Sequence, residues 1–456
     1  VLFLGPLYVV YKALTAIELA AQLEEAWEVR GGRRVCVASD DHDWAEVGQT
    51  SLVDGEGRLR TLRFEPPAGY ESRPVGPVRV GEAGEAIVSE LSQLISNNDF
   101  TDIYVKYVRD AYVEETNLST GFARLLQDTL GDRGYVWLDS STAALKTGAA
   151  ELFRRMMDAP DSILAAGGAG SRRISAAGFE PPIPVLEGAL PMFFDGGTGR
   201  ERVYAVEGGA RAGRSGPVEP METWRRRLDD APEAFSPNVA SRPVLESHLL
   251  PIAATVLGPG EIAYWSQLPP LFESLEVQFP GIQPRAAWTL VEPKIERLLR
   301  RFDLVPGVLA DGGGEVIRRL TERSRPEVVD REVERLRDAI TRGLAELDSA
   351  IGEALPGLKS TAGKTRKALF SALSALSKQI DRETRHRLAT QLGQIRRCAD
   401  SLFPGGKPQE RGSSPFYYLA RYGPDVIEDL ALETSAWVAS SLRGTGGSLA
   451  SPESDG

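Results

Sequence analysis

Tyr8, Tyr11, Leu14, Ala16, Ile17, Leu19, Ala20 and Leu23 recur at three- and four-residue spacings, which predicts a helix over residues 7–27 after the Gly5-Pro6 turn. Gly31-Gly32 stops it. Arg34 to Ala38 is a short apolar run of buried parallel-strand type, and it leads into Ser39-Asp40-Asp41-His42-Asp43. A helix, a strand and a polar cluster at the strand's C-terminal end form the α/β layout in which ligands are usually bound. Residues 51–82 read as an insertion with little helix, in which Leu59–Phe64 is strand-like. Helices are expected at about 83–96, 117–130 and 143–158, and Tyr135–Asp139 reads as a second strand ending in an acid.

Glycine pairs at 167–168, 196–197 and 208–209 punctuate short strands such as Arg202–Val206, so residues 160–235 read as a mostly β insertion. Val244–Leu257 is mostly helical in pattern, and residues 280–290 are placed to hold the last core strand. Farther on, Val329, Val333, Leu336, Ile340, Leu344, Leu347, Ile351, Leu355 and Leu358 follow an eleven-residue repeat. At about 3.67 residues per turn, that period gives a nearly straight pairing. Leu369, Leu373, Leu376, Ile380, Leu388, Leu392, Ile395 and Leu402 form a second stripe beyond Pro356-Gly357 and Gly363. Two long helices joined by a short turn make an antiparallel hairpin, and dense charge on the other faces points to a solvated arm.

The expected organisation is therefore an α/β core in two parts, 1–159 and 236–305, interrupted by the connective segment 160–235. A helical coiled-coil domain at 306–410, a segment at 411–443 that packs back on the core and a disordered tail at 444–456 complete it. The chain of 456 residues is long enough for two to four structural units. Its net charge of −11 argues against a broad nucleic-acid or membrane-binding face. Cys36 and Cys398 form no Cys-x-x-Cys or Cys/His cluster, so neither a disulfide scaffold nor a metal site is expected. The chain opens on Val1-Leu2-Phe3-Leu4, which lacks the features of a signal peptide and reads as the interior of a domain entered midway.

Asp40, Asp41, His42 and Asp43 are the sharpest chemical signal, three carboxylates and an imidazole at a strand end. Such a group can act as general base, bind a cation or hold an amine. The structural alternative is that Asp41 or Asp43 caps the next helix. Gly258-Pro259-Gly260-Glu261 through Tyr264, Trp265 and Gln267 combines close backbone approach with stacking and hydrogen-bonding groups, or is a turn before a buried aromatic helix. Ser236-Pro237-Asn238 with Arg242 suits an anion at a helix start, or simple capping by Ser236 or Asn238. Ser360–Thr365 mimics the end of a phosphate-binding loop, but its upstream glycine is out of register and no strand precedes it.

Together these motifs are recognisable. The chain resembles the bacillithiol-synthesis cysteine-adding enzymes at Gly5–Ile17, Ala38–Val47, Ser236–Val244, Leu250-Pro251, Gly258–Leu268, Pro284-Arg285, Leu290–Pro293 and Ala420–Asp425, in the family's order. The resemblance implies a Rossmann-like core similar to class I aminoacyl-tRNA synthetases, and a coiled coil that supports a homodimer. It implies cytoplasmic ligation of L-cysteine to the amine of glucosaminyl-malate, with ATP and magnesium as the expected energy source. A family strand and a Thr-Gly-Gln-Gln loop expected before Leu2–Gly5 are not in the sequence, and Asp40 stands where Glu is common. On this reading Asp40, Asp41, His42 and Asp43 are catalytic. Tyr11, Lys12, Asn238, Arg242, Gly258, Gly260, Glu261, Tyr264 and Gln267 bind substrate, while Arg421 and Tyr422 meet the nucleotide. The rival expectations are another ATP-dependent amino-acid:amine ligase on the same fold, and a non-catalytic coiled-coil scaffold.

Overall fold

The computed structural model describes residues 1–40, 43–54, 58–65, 74–95, 98–113, 115–197 and 199–444. The chain divides into two compact units, one of residues 1–55, 60–288 and 413–456, the other of residues 56–59 and 289–412.

The first unit is built on short strands. β1 (Arg33–Val37) is followed by the strand pair β2 (Gln49–Val53) and β3 (Leu59–Arg63), and then by β4 (Tyr135–Asp139). β1 and β4 are parallel, with Val37 opposite Asp139. A four-stranded antiparallel sheet in the order β7-β6-β5-β8 comprises β5 (Ala189–Asp195), β6 (Arg200–Val206), β7 (Gly209–Ala212) and β8 (Phe235–Pro237). β9 (Ala254–Leu257) and β10 (Gly281–Pro284) form a second parallel pair. The helix Tyr8–Trp27 packs on β1, β9 and the helix Asp425–Gly444. Leu19, Val256 and Val438 are the buried contacts of that layer. A larger core gathers Leu152, Phe153, Met156, Met192, Trp224, Phe235, Trp265 and Phe272 between the antiparallel sheet and its helices.

Two sequence expectations are corrected here. Residues 160–235 are not mostly β, because Pro160–Ala176 is a helix of 17 residues. Gly167, Gly168 and Gly170 lie inside this helix rather than in turns, and Gly170 serves close packing: a Cβ there would stand 2.0 Å from the Gln267 carbonyl oxygen. Val244–Leu257 is not one helical stretch either. The helix Ser241–Leu249 ends because Leu250 precedes Pro251 and is extended (φ −134°, ψ 134°), and β9 follows.

The second unit has a small core of Ile295, Leu299, Leu309, Ile317, Leu392, Ile395, Cys398 and Leu402. From it extends a hairpin of two helices, Glu327–Ala354 (28 residues) and Lys359–Arg387 (29 residues), about 42 Å long by helix rise. Ser360–Thr365 lies inside the second helix, as a phosphate-binding loop would not. The eleven-residue repeat splits into two rows. Val333 and Leu344 are buried in the hairpin, whereas Leu336, Leu347 and Leu358 are 46–47% exposed. Among the described residues, no helix is long and apolar enough to cross a membrane.

Candidate active site

Parallel pairing brings the C-terminal ends of β1 and β4 side by side, so Ser39-Asp40 and Asp139-Ser140-Ser141 meet. The Asp139 carboxylate accepts hydrogen bonds from Ser141 N at 2.8 Å, from Ser141 Oγ at 2.6 Å and from the buried Ser39 Oγ. Burial pushes this carboxyl up, but the serine hydrogen bonds together outweigh it and hold Asp139 below the ordinary range. Asp40 Oδ1 pairs with Lys146 Nζ at 3.1 Å, with both side chains largely buried. Arg200 of β6 donates to the Asp40 carbonyl, to Ser236 Oγ at 3.0 Å and to the Pro237 carbonyl at 3.1 Å. One guanidinium thus ties the antiparallel sheet to the end of β1.

Two cavities open at this point. The smaller, about 340 Å³, has an apolar wall that includes Leu138, Leu145, Phe153, Phe193 and Leu249, and a polar rim of Asp40, Lys146, Arg200, Arg202, Asn238, Arg242 and Glu246. The larger, about 710 Å³, runs between the helix Tyr8–Trp27, β1 and β9. Lys12, Arg34, Ser39, Glu246, Glu261 and Tyr264 line it. Cys36, Ser140, Arg242, Glu246 and Leu250 line both. Arg34 and Arg242 form no salt bridge among the described residues, and the described carboxylate that both act on electrostatically is Glu246.

The sequence-derived residues separate clearly. Asp40 lines the smaller cavity; Asp41 and His42 lie outside the described residues. Asp43 accepts from Glu46 N at 3.1 Å and so caps the helix Trp44–Val47. Lys12, Arg242, Glu261 and Tyr264 meet in the larger cleft. There Lys12 Nζ donates to both Glu261 oxygens at 2.6 and 2.8 Å, and Glu261 also accepts from Gly258 N at 2.8 Å. Asn238 is on the rim of the smaller cavity, but its Oδ1 is engaged by the Ala240 and Ser241 amides.

Four residues that sequence reading placed in the substrate set line neither cavity: Tyr11, Gly258, Gly260 and Gln267. Tyr11 is fully buried, and Gln267 is spent on Ile183 N and O and on Ser171 Oγ. Arg421 stacks over Tyr417 at 4.2 Å, and Arg421 and Tyr422 likewise line neither cavity. Lys146, Arg200, Arg34 and Glu246 were missed. Only Glu246 carried a local signal, since it falls one helical turn after Arg242 on the same face.

Parallel strands whose C-terminal ends open into a polar cleft, joined to a helical hairpin, define a Rossmann-like enzyme with a coiled-coil domain. Comparison with known proteins specifies it further. The Rossmann-like N-terminal domain of bacillithiol biosynthesis BshC matches residues 1–286, and the family's C-terminal coiled-coil domain matches residues 288–436. The protein designated cysteine ligase BshC in Salinibacter ruber is 29% identical over 446 residues, covering 94% of this chain and 78% of that protein. Its counterpart in Symbiobacterium thermophilum is 30% identical over 448 residues (94% and 79%), and that in Bacillus cytotoxicus 26% over 442 (96% and 81%). The chain belongs to the bacillithiol-biosynthesis BshC family and is a ligase of that family.

Proposed function

We propose that this ligase joins the carboxyl group of L-cysteine to the amine of glucosaminyl-malate in the cytoplasm, with ATP as the energy source. The observation that carries the reading is the pair Arg34 and Arg242, guanidinium groups in no salt bridge among the described residues, which line the larger cleft along β1. A malyl group brings two carboxylates, and guanidinium is the side chain best suited to bind them. The smaller cavity, with its apolar wall and the Asp40–Lys146 pair at its rim, suits a compact amino acid whose ammonium would be drawn to Asp40.

Amide formation needs an activated carboxyl group, which ATP, entering as its magnesium complex, would supply. Arg421, ordered on the Tyr417 ring, and the 41% exposed Tyr422 offer charge and a stacking face for that nucleotide. The parallel strands interrupted by an antiparallel connective sheet support the finer comparison with class I aminoacyl-tRNA synthetases. On the hairpin, the half-exposed row Leu336, Leu347 and Leu358 supports a homodimer through the coiled coil, because a second copy presents the same row.

The choice of amine is tested by comparing glucosaminyl-malate with the same amino sugar lacking the malyl group. The expected outcome is a loss of kcat/KM of about 100-fold or more without the carboxylates, a loss that Arg242→Ala reproduces with the intact acceptor. Equal turnover of the two amines would move the assignment to another amino-acid:amine ligase.

A further inference from the structure

The carboxylates around the two cavities differ in what they already hold. Asp40 pairs with Lys146, Glu261 with Lys12, and Glu24 with Arg33, while Glu46 accepts from Tyr8 Oη at 3.4 Å. Glu246 lines both cavities, yet its carboxylate accepts no hydrogen bond and joins no ion pair among the described residues. It is half-buried on the helix Ser241–Leu249, whose Arg242, Leu245, Glu246 and Leu249 form one face at three- and four-residue spacing. The charged and titratable groups around it are Arg242 on its own helix, Lys12 on Tyr8–Trp27, Glu261 and Tyr264 on Pro259–Trp265, and Arg34 and Cys36 on β1. Burial pushes the Glu246 carboxyl up, against the pull of Arg242 and Lys12, and Glu261 adds to the rise. Cys36, exposed to both cavities, is no competitor as a base: desolvation within the cleft, and then the Glu246 charge, push its thiol up to about 12.

We propose that Glu246 is the proton acceptor for the amine that attacks the activated carboxyl group, an inference that rests on the ligase reading above. The amine arrives as an ammonium. One of its protons passes to a Glu246 oxygen, and the freed nitrogen lone pair forms the N–C bond at the acyl carbon. The C–O bond to the phosphoryl leaving group then breaks, and its electron pair stays on the phosphoryl oxygen. The second nitrogen proton goes to water as the amide forms, and Glu246 later returns its own proton to solvent. A carboxylate with unused lone pairs and a raised pKa is the group such a transfer requires.

The experiment compares the full chain with Glu246→Gln and Glu246→Ala, supplied with cysteine, magnesium-ATP and glucosaminyl-malate. Two rates are followed: amide formation, and cysteine-dependent isotope exchange into ATP with the amine left out. For both variants kcat for the amide should fall about 100- to 1,000-fold, the usual range for a lost general base, with KM for the amine within about threefold. Isotope exchange should stay within about twofold, the acid-side limb of the kcat–pH profile should disappear, and formate should restore part of the rate to Glu246→Ala. Amide formation within about threefold of the parent in either variant overturns the assignment, as does a parallel fall in both rates. If the unaltered chain makes no amide, the ligase reading and this role fall together; if it does and Glu246→Gln does too, only the role of Glu246 falls.

Discussion

Asp139 sits where the two parallel strands end, and three hydrogen bonds from Ser39 and Ser141 converge on its carboxylate. Its folded pKa is lowered below the ordinary 3.8. A depressed carboxylate contributes stability that is fully present above the unfolded value and is lost as pH falls through the folded one. Asp139→Asn should therefore cost on the order of 1–2 kcal/mol near pH 7, and that difference should shrink below about pH 4. Urea midpoints of both proteins at pH 7 and pH 3.5 test this, and a difference that stays constant with pH would refute it. At this scale the sequence was only partly readable. The acidic run was visible, but whether each acid faces the cleft or caps a helix depends on backbone angles that spacing does not encode. Asp40 turns to Lys146 while Asp43 folds back on the Glu46 amide. Lys146 and Arg200 reach Asp40 from 106 and 160 positions away, so no local pattern could have joined them.

Among the elements, the amphipathic helices and the positions of β1 and β4 were legible from local pattern, but β1 is not the buried strand its apolar run suggested: within it only Val37 is buried, and in β4 Val136 and Trp137 are exposed. The helix Pro160–Ala176 was not, because its glycines mimic turn signals. Packing explains Gly170 alone, which lies against the Gln267 carbonyl, where a Cβ would come to 2.0 Å, whereas a Cβ on Gly167 would meet nothing within 4 Å. Gly170→Ala sets two effects against each other. Alanine gains up to about 1 kcal/mol of helix propensity, while overpacking against backbone costs about 1–3 kcal/mol. The clash is with backbone that cannot rotate away, so net destabilisation is expected. Thermal unfolding would show it as a lowered Tm, and a raised Tm would mean that the two segments separate without cost.

For the molecule as a whole, the order of Rossmann-like and coiled-coil domains was readable, since the eleven-residue repeat marks the first hairpin helix and the second apolar stripe begins in the other. What the repeat could not say is how its apolar rows divide. A pair of helices buries Val333 and Leu344 and leaves Leu336 and Leu347 nearly half exposed. With those leucines outside the hairpin core, Leu336→Lys combined with Leu347→Lys should leave the fold intact and, on the proposed homodimer, halve the mass seen by analytical ultracentrifugation. An unchanged mass would move any self-association away from this face. One assay tests the proposed ligation most directly, mass spectrometric detection of product from cysteine and glucosaminyl-malate with and without magnesium-ATP. The cysteinyl amide is expected only when the nucleotide is present, formed one-for-one with nucleotide cleaved. Amide formed at the same rate without ATP, or no amide from a folded protein that binds both substrates, would contradict it.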